Sequence, residues 1–162
     1  QFYNRADSFP RWFALVAGLS ASASFLNSMI VMRLGMRRLI SAALRIQIVW
    51  SFGMLLLYAQ GLMAGDLGFA LFIFWIFGLF FQAGMTLGNL TALAMESLGH
   101  IAGTAASVTS AVATLGSILL ASVAGQFFDG TPLILIVAIF VLSICGSLSA
   151  HRLKRFERRA AV

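Results

Sequence analysis

Residues 67–95 read LGFALFIFWIFGLFFQAGMTLGNLTALAM, without one ionisable side chain. An ionised group at the bilayer centre costs about 2.5–3.5 kcal/mol on insertion scales, so so long a charge-free window is built for lipid. As a continuous helix it would be about 43 Å long, against a hydrocarbon thickness of about 30 Å. Such a helix must tilt or project into water.

The same clearing of charge extends on both sides. Asp66 is the sole charged residue in 46–95, and Asp129 the sole one in 97–150. The chain is 60% hydrophobic and 10% charged, where a soluble domain carries about 25% charged residues. Its mean hydropathy is +0.96. These observations predict an all-α polytopic membrane helix bundle with five spans, near residues 12–32, 46–63, 67–95, 103–123 and 133–150. Residues 1–150 form one membrane domain and residues 151–162 a basic tail. Gly65-Asp66 and Asp129-Gly130-Thr131-Pro132 read as turns.

The net charge of +6 does not point to nucleic acid, because the basic residues sit at span ends. With the loop after the first span inside, Arg33, Arg37, Arg38, Arg45, Arg152, Lys154, Arg155, Arg158 and Arg159 are all cytoplasmic. Only Arg5 and Arg11 then lie outside, with Asp66 and Asp129 in the outer turns. This asymmetry orients the bundle with a cytoplasmic C-terminus. Cys145 is the single cysteine, so no internal disulfide can form. The chain opens on polar residues with no secretory signal and no initiator Met. The expectation is a piece of a longer protein.

Small residues line the first span (Gly18, Ser20, Ser22, Ser24, Asn27, Ser28). In the fourth they recur at steps of three or four (Gly103, Ser107, Ser110, Thr114, Ser117, Ala121, Gly125). That spacing allows close helix packing, and equally the smooth faces of helices that rock. The third span places Trp75, Gly78, Gln82, Thr86, Asn89 and Glu96 on one broad face, beside the G-x-x-x-G of Gly84 and Gly88. Lipid satisfies no amide, so Gln82 and Asn89 face protein or a watery cavity. Either they bond between helices, or they line a substrate cavity with Trp75, Phe81, Thr86 and Asn27. Glu96 and His100 are four apart, spaced to pair on a helix, and Glu96 is also within reach of Arg33 or Arg37. Such a contact is either a solvated interfacial pair or a cytoplasmic gate. No nucleophile–base–orienter set, metal-ligand cluster or phosphate-binding glycine loop appears. An enzyme, a metal site and a cofactor are therefore not expected.

Two stretches resemble a known family. Asn27-Ser28-Met29-Ile30-Val31-Met32-Arg33-Leu34-Gly35-Met36-Arg37-Arg38-Leu39 resembles the loop between the eighth and ninth helices of major facilitator transporters, commonly G-x-x-x-D-R-x-G-R-R. Arg33, Gly35 and the pair Arg37 and Arg38 are kept, while Met32 replaces the acidic residue and Ser28 the first glycine. Asn89-Leu90-Thr91-Ala92-Leu93-Ala94-Met95-Glu96-Ser97-Leu98-Gly99-His100-Ile101-Ala102-Gly103-Thr104-Ala105-Ala106-Ser107 is similar to the junction of the tenth and eleventh helices in the Bcr/CflA-type drug-resistance branch. Members there read N-x-x-A-L-A-x-E-P-x-G-H-I-A-G-T-A-S, and Ser97 stands at their Pro.

The resemblance implies helices eight to twelve of a twelve-helix fold in a bacterial plasma (inner) membrane. It further implies proton-coupled efflux of drugs or small amphipathic compounds by alternating access, with substrate bound between two six-helix halves. The partners implied are a small-molecule substrate, the lipid bilayer, the N-terminal half of the same transporter and protons. A gate would comprise Arg33, Gly35, Arg37, Arg38, Glu96 and His100. None of the five spans has a titratable group near its centre, which puts a coupling carboxylate in the N-terminal half. The alternatives are an importer of a sugar or other metabolite, and a non-transporting scaffold subunit. Transport by these 162 residues alone is not expected.

Overall fold

The computed structural model describes Tyr3, residues 8–96 and residues 98–160, with the side chains of residues 153–160 excepted. Arg5, Ser97 and the side chains of Lys154, Arg155, Arg158 and Arg159 lie outside the described set. Every regular element among the described residues is a helix: α1 (Phe9–Ser20), α2 (Ser22–Leu34), α3 (Met36–Ala59), α4 (Gly65–Met95), α5 (Ala102–Gln126) and α6 (Leu133–Ala160). A single 3₁₀ turn, Gly99–Ile101, leads into α5. Five segments are long and apolar enough to cross a membrane, α1 and α2 counting as one. The protein is an all-α polytopic bundle.

The helix ends differ from the apolar windows for physical reasons. α3 begins at Met36 rather than Ile46, because Arg37, Arg38 and Arg45 form good helix outside the apolar slab and snorkel. It stops at Ala59, and residues 60–64 make the turn assigned above to Gly65-Asp66. Asp66 lies in the first turn of α4, where a carboxylate meets the positive end of the helix dipole. α6 runs on into the basic tail through Ala160. α4 has 31 residues, about 46 Å of helix, and its last turn projects to the loop at Gly35, where Leu93 lies beside Arg37 and Arg38.

The first span is one helix with a lapse. The Ala21 amide is shared between the Ala17 and Gly18 carbonyls, and the Ser24 amide bonds Ala21 in the tighter i−3 pattern. The Ser22 hydroxyl donates to the Leu19 carbonyl and that of Ser28 to the Phe25 carbonyl, back-bonds that bend helices. Further along, Gly35 ends α2 at φ 77°, a conformation that a side chain disfavours, and so turns the chain into α3.

Two buried clusters hold the bundle. One joins Met54, Met63, Trp75 and Ile136 from α3, the following turn, α4 and α6. The other joins Ala23, Leu39 and Met85 from α2, α3 and α4. Small residues permit the approach. A Cβ on Gly84 would come within 2.9 Å of the Ala23 Cβ. One on Gly68 would collide with the Met63 carbonyl, so this turn closes only over glycine. α4 is the centre, touching α1, α2 and α3, while α6 packs along α3. α5 meets only the ends of its chain neighbours and buries no residue.

Contacts between helix ends fix an antiparallel order. Tyr3 donates to the Gly68 carbonyl at 3.2 Å and meets the Phe69 ring edge-on and the Phe72 ring at a tilt, tying it to the start of α4. Burial, then the neighbouring Tyr58, push the Tyr3 hydroxyl up to about 12, so it stays a donor. Arg37 at the start of α3 meets Glu96 at the end of α4. Ile136 near the start of α6 packs with Met54 near the end of α3 and Met63 in the turn that follows, and Gly146 midway along α6 meets Leu44 in the first half of α3. Arg33, Arg37, Arg38, Arg45 and Arg152 therefore share one end of the bundle, and Asp66 and Asp129 the other.

Candidate functional site

At the basic end, the turn at Gly35 and the end of α4 enclose a shallow cavity of about 320 Å³. Leu34, Gly35, Met36, Arg37, Arg38, Leu93 and Glu96 line it. The Arg37 guanidinium approaches the Glu96 carboxylate to 3.6 Å, with both side chains at least half exposed. In water such a pair contributes about 0–1 kcal/mol, so it tunes rather than holds the structure. Arg33 is exposed and does not line this cavity. His100 sits exposed in the 3₁₀ turn, and the ion pair of Glu96 is with Arg37, not with His100.

One helical stretch above that pair, Asn89 donates to the Asn27 side-chain oxygen at 2.6 Å and to the Met85 carbonyl at 2.8 Å. Asn89 is buried and Asn27 half-buried, so an amide-to-amide bond ties α2 to α4 inside the bundle. Thr86, also buried, returns its hydroxyl to the Gln82 carbonyl of its own helix. Trp75 is fully buried, and its indole N–H donates to the Ser51 hydroxyl at 3.2 Å. Gln47 donates to that same oxygen at 3.2 Å. Each group meets the membrane's demand that buried polar atoms find protein partners. Ser20, buried at the lapse in the first span, has a hydroxyl oxygen with no partner among the described residues.

A second cavity, also about 320 Å³, lies between α3 and α4. α3 contributes Leu39, Ala42, Ala43, Ile46, Gln47 and Trp50. α4 contributes Phe74, Phe77, Gly78, Phe81, Gln82 and Met85. The rings run as a continuous wall: Trp50 to Phe74 at 5.2 Å edge-on, Phe74 to Phe77 at 6.3 Å, Phe77 to Phe81 at 5.7 Å. Residues 74, 77, 78 and 81 recur at helical spacing, which puts them on one face. Gly78 leaves room for the Trp50 indole, whose nitrogen would be 3.4 Å from an added Cβ.

Of the cavity residues read from sequence, Gln82 and Phe81 thus line this groove. Trp75, Thr86, Asn89 and Asn27 lie in contacts between or within helices. Gln47, Ser51 and Trp50 were not singled out by the sequence reading. Gln47 is the only amide within α3, four residues before Ser51, and that spacing is the signal that could have found it. Compared with known protein families, curated proteins and solved structures, the chain matches none.

Proposed function

We propose that this chain forms helices eight to twelve of a major-facilitator-type secondary transporter, working against an N-terminal half, in a bacterial inner membrane with the C-terminus in the cytoplasm. The activity proposed is proton-coupled efflux of small amphipathic compounds by alternating access, with no enzymatic step. Five membrane-crossing helices are compatible with a transporter. One observation carries the reading further. The two stretches that resemble the family, residues 27–39 and 89–107, lie far apart in sequence yet meet twice in space. Asn27 bonds Asn89 at 2.6 Å, and Arg37 pairs with Glu96 at 3.6 Å.

The pairing has the chemistry a gate needs. Asn27–Asn89 joins a half-buried amide to a buried one inside the bundle, so it holds α2 and α4 together through a cycle. Arg37–Glu96 is half-exposed and weak, so water can replace it when the loops part. A contact made in one state alone shifts the equilibrium by its differential energy, here of the order of 1 kcal/mol.

Inverted membrane vesicles from cells producing this chain together with its N-terminal half test this. Uptake of a fluorescent amphipathic dye is followed with and without a proton gradient. Gradient-dependent uptake, slowed in Glu96→Gln at equal protein level, supports the proposal. Uptake indifferent to the gradient, or none above vesicles lacking the protein, overturns it.

A further inference from the structure

The groove between α3 and α4 contains two amide ends left over by the packing of the bundle. Among the described residues, the Gln82 amide has no hydrogen-bond partner, and neither has the carbonyl oxygen of Gln47, whose nitrogen is engaged by Ser51. Gln47 is 2% exposed, and the buried polar side-chain atom left without a partner among the described residues is the Ser20 hydroxyl, so the unengaged Gln47 oxygen is one that remains open to the groove. Both residues line the same groove. In lipid an amide without a partner costs several kcal/mol, so the two amides gain from a polar ligand delivered inside the groove.

The rest of the lining says what else that ligand is. Trp50, Phe74, Phe77 and Phe81 present a wall of rings, and no lining residue is charged. Ring walls favour flat aromatic partners, which stack or meet edge-on with gains of about 0.5–1.5 kcal/mol per pair beyond area burial. An acyl chain would gain nothing from the amides. An ion would enter an apolar slot with no countercharge. The volume of about 320 Å³ suits a molecule of two or three rings.

We infer that this groove is a binding site for a neutral aromatic compound carrying one amide group, whose carbonyl accepts from the Gln82 amide and whose N–H donates to the Gln47 oxygen, so that a ketone meets the Gln82 half of the site alone. This inference rests on the transporter reading for its purpose, as the place where a neutral aromatic substrate leaves the lipid. Its chemistry rests on the groove alone. Gly78 lies beside the Trp50 indole on this wall, where an added Cβ would come into van der Waals contact with it.

Benzophenone is a direct probe, being neutral, aromatic, a carbonyl acceptor and photoreactive toward neighbouring C–H bonds. The purified chain in nanodiscs is irradiated with benzophenone, and labelled peptides are mapped. Labelling concentrated on residues 39–50 and 74–85, with Met85 a prominent site, is the expected result. Gln82→Leu, which keeps bulk and apolarity, lowers that labelling about fivefold through one lost hydrogen bond. Ala42→Phe, at an exposed position on the groove's edge, abolishes it without disturbing buried packing. Excess benzamide competes, while excess dicyclohexyl ketone does so much less.

Labelling spread over all lipid-facing helices overturns the inference. So does equal competition by the aliphatic ketone, which identifies an acyl-chain groove, or a signal unchanged in both variants. Elution with wild-type retention on size exclusion confirms that each variant is folded. Since labelling reads occupancy and vesicle uptake reads transport, loss of one with the other retained tells which of the two readings has failed.

Discussion

α3 and α5 are near-twins in length and apolarity: 24 and 25 residues, and of equal mean hydropathy over their most apolar windows. Yet α3 buries Leu39, Ile40, Gln47, Ser51 and Met54, while α5 buries nothing. The difference lies in where their polar groups find partners. In α5, Ser107, Thr114 and Ser117 each donate to a carbonyl of their own helix. They are satisfied without a neighbour. In α3, Gln47 donates to Ser51 of its own helix, and the Trp75 indole of α4 donates across to the same Ser51 oxygen. Because lipid tails are as apolar as Leu, apolarity brings a helix into the membrane but not to another helix. A polar side chain that reaches across from a neighbouring helix, as Trp75 does, ties the two together.

The comparison is most exposed at Trp75. Trp75→Ala removes a fully buried side chain and a donor to Ser51, and should destabilise the bundle by about 3–5 kcal/mol. Unfolding by SDS in mixed micelles measures this, and a loss under about 1 kcal/mol would sink the view that this junction anchors α3 to α4.

Asn89→Ala tests the α2–α4 tie. The expected loss is about 0.6–2 kcal/mol, the range for interhelical hydrogen bonds in membranes. In a double-mutant cycle with Asn27→Ala the two changes should be less than additive, because they remove one bond. Strict additivity would mean that each amide is held by other partners.

Glu96→Gln should change stability by no more than about 1 kcal/mol, with most of the effect gone in high salt. A larger, salt-independent loss would make the pair structural and not a gate contact.

At Asp129 the hydroxyl of Thr131, then its backbone N–H, hold the carboxyl below its ordinary value. With the folded pKa below the unfolded one, its contribution is present above about 3.9 and is lost as pH falls through the lowered folded value. Asp129→Asn should flatten the acid limb of the unfolding midpoint. An unchanged limb would show that the turn already forms in the unfolded chain.

The smallest effect belongs to α5. Thr114→Val should leave this chain's stability within about 0.5 kcal/mol, because the hydroxyl serves only its own helix. A larger loss would break the contrast between the two helices.

Charge-free windows fixed the number of crossings, because the cost of an ion in hydrocarbon is local and needs no knowledge of neighbours. Charge asymmetry likewise put Arg33, Arg37, Arg38, Arg45 and Arg152 at one end, since helices that cross must alternate. Gln82 and Asn89 could be read as unable to face lipid, but not which protein group each would meet. Distance and rotation decided that. Asn89 faces Asn27 across α2, whereas Gln82, two helical turns earlier, faces the gap beside Trp50. The place of Gln47 in the groove is not legible in the sequence, because its neighbours at 42, 43 and 46 belong to a groove wall that exists only once α4 lies beside it. The start of α3 at Met36 was hidden for the opposite reason: hydropathy marks where lipid begins, and the helix continues past it wherever the backbone can close its own hydrogen bonds.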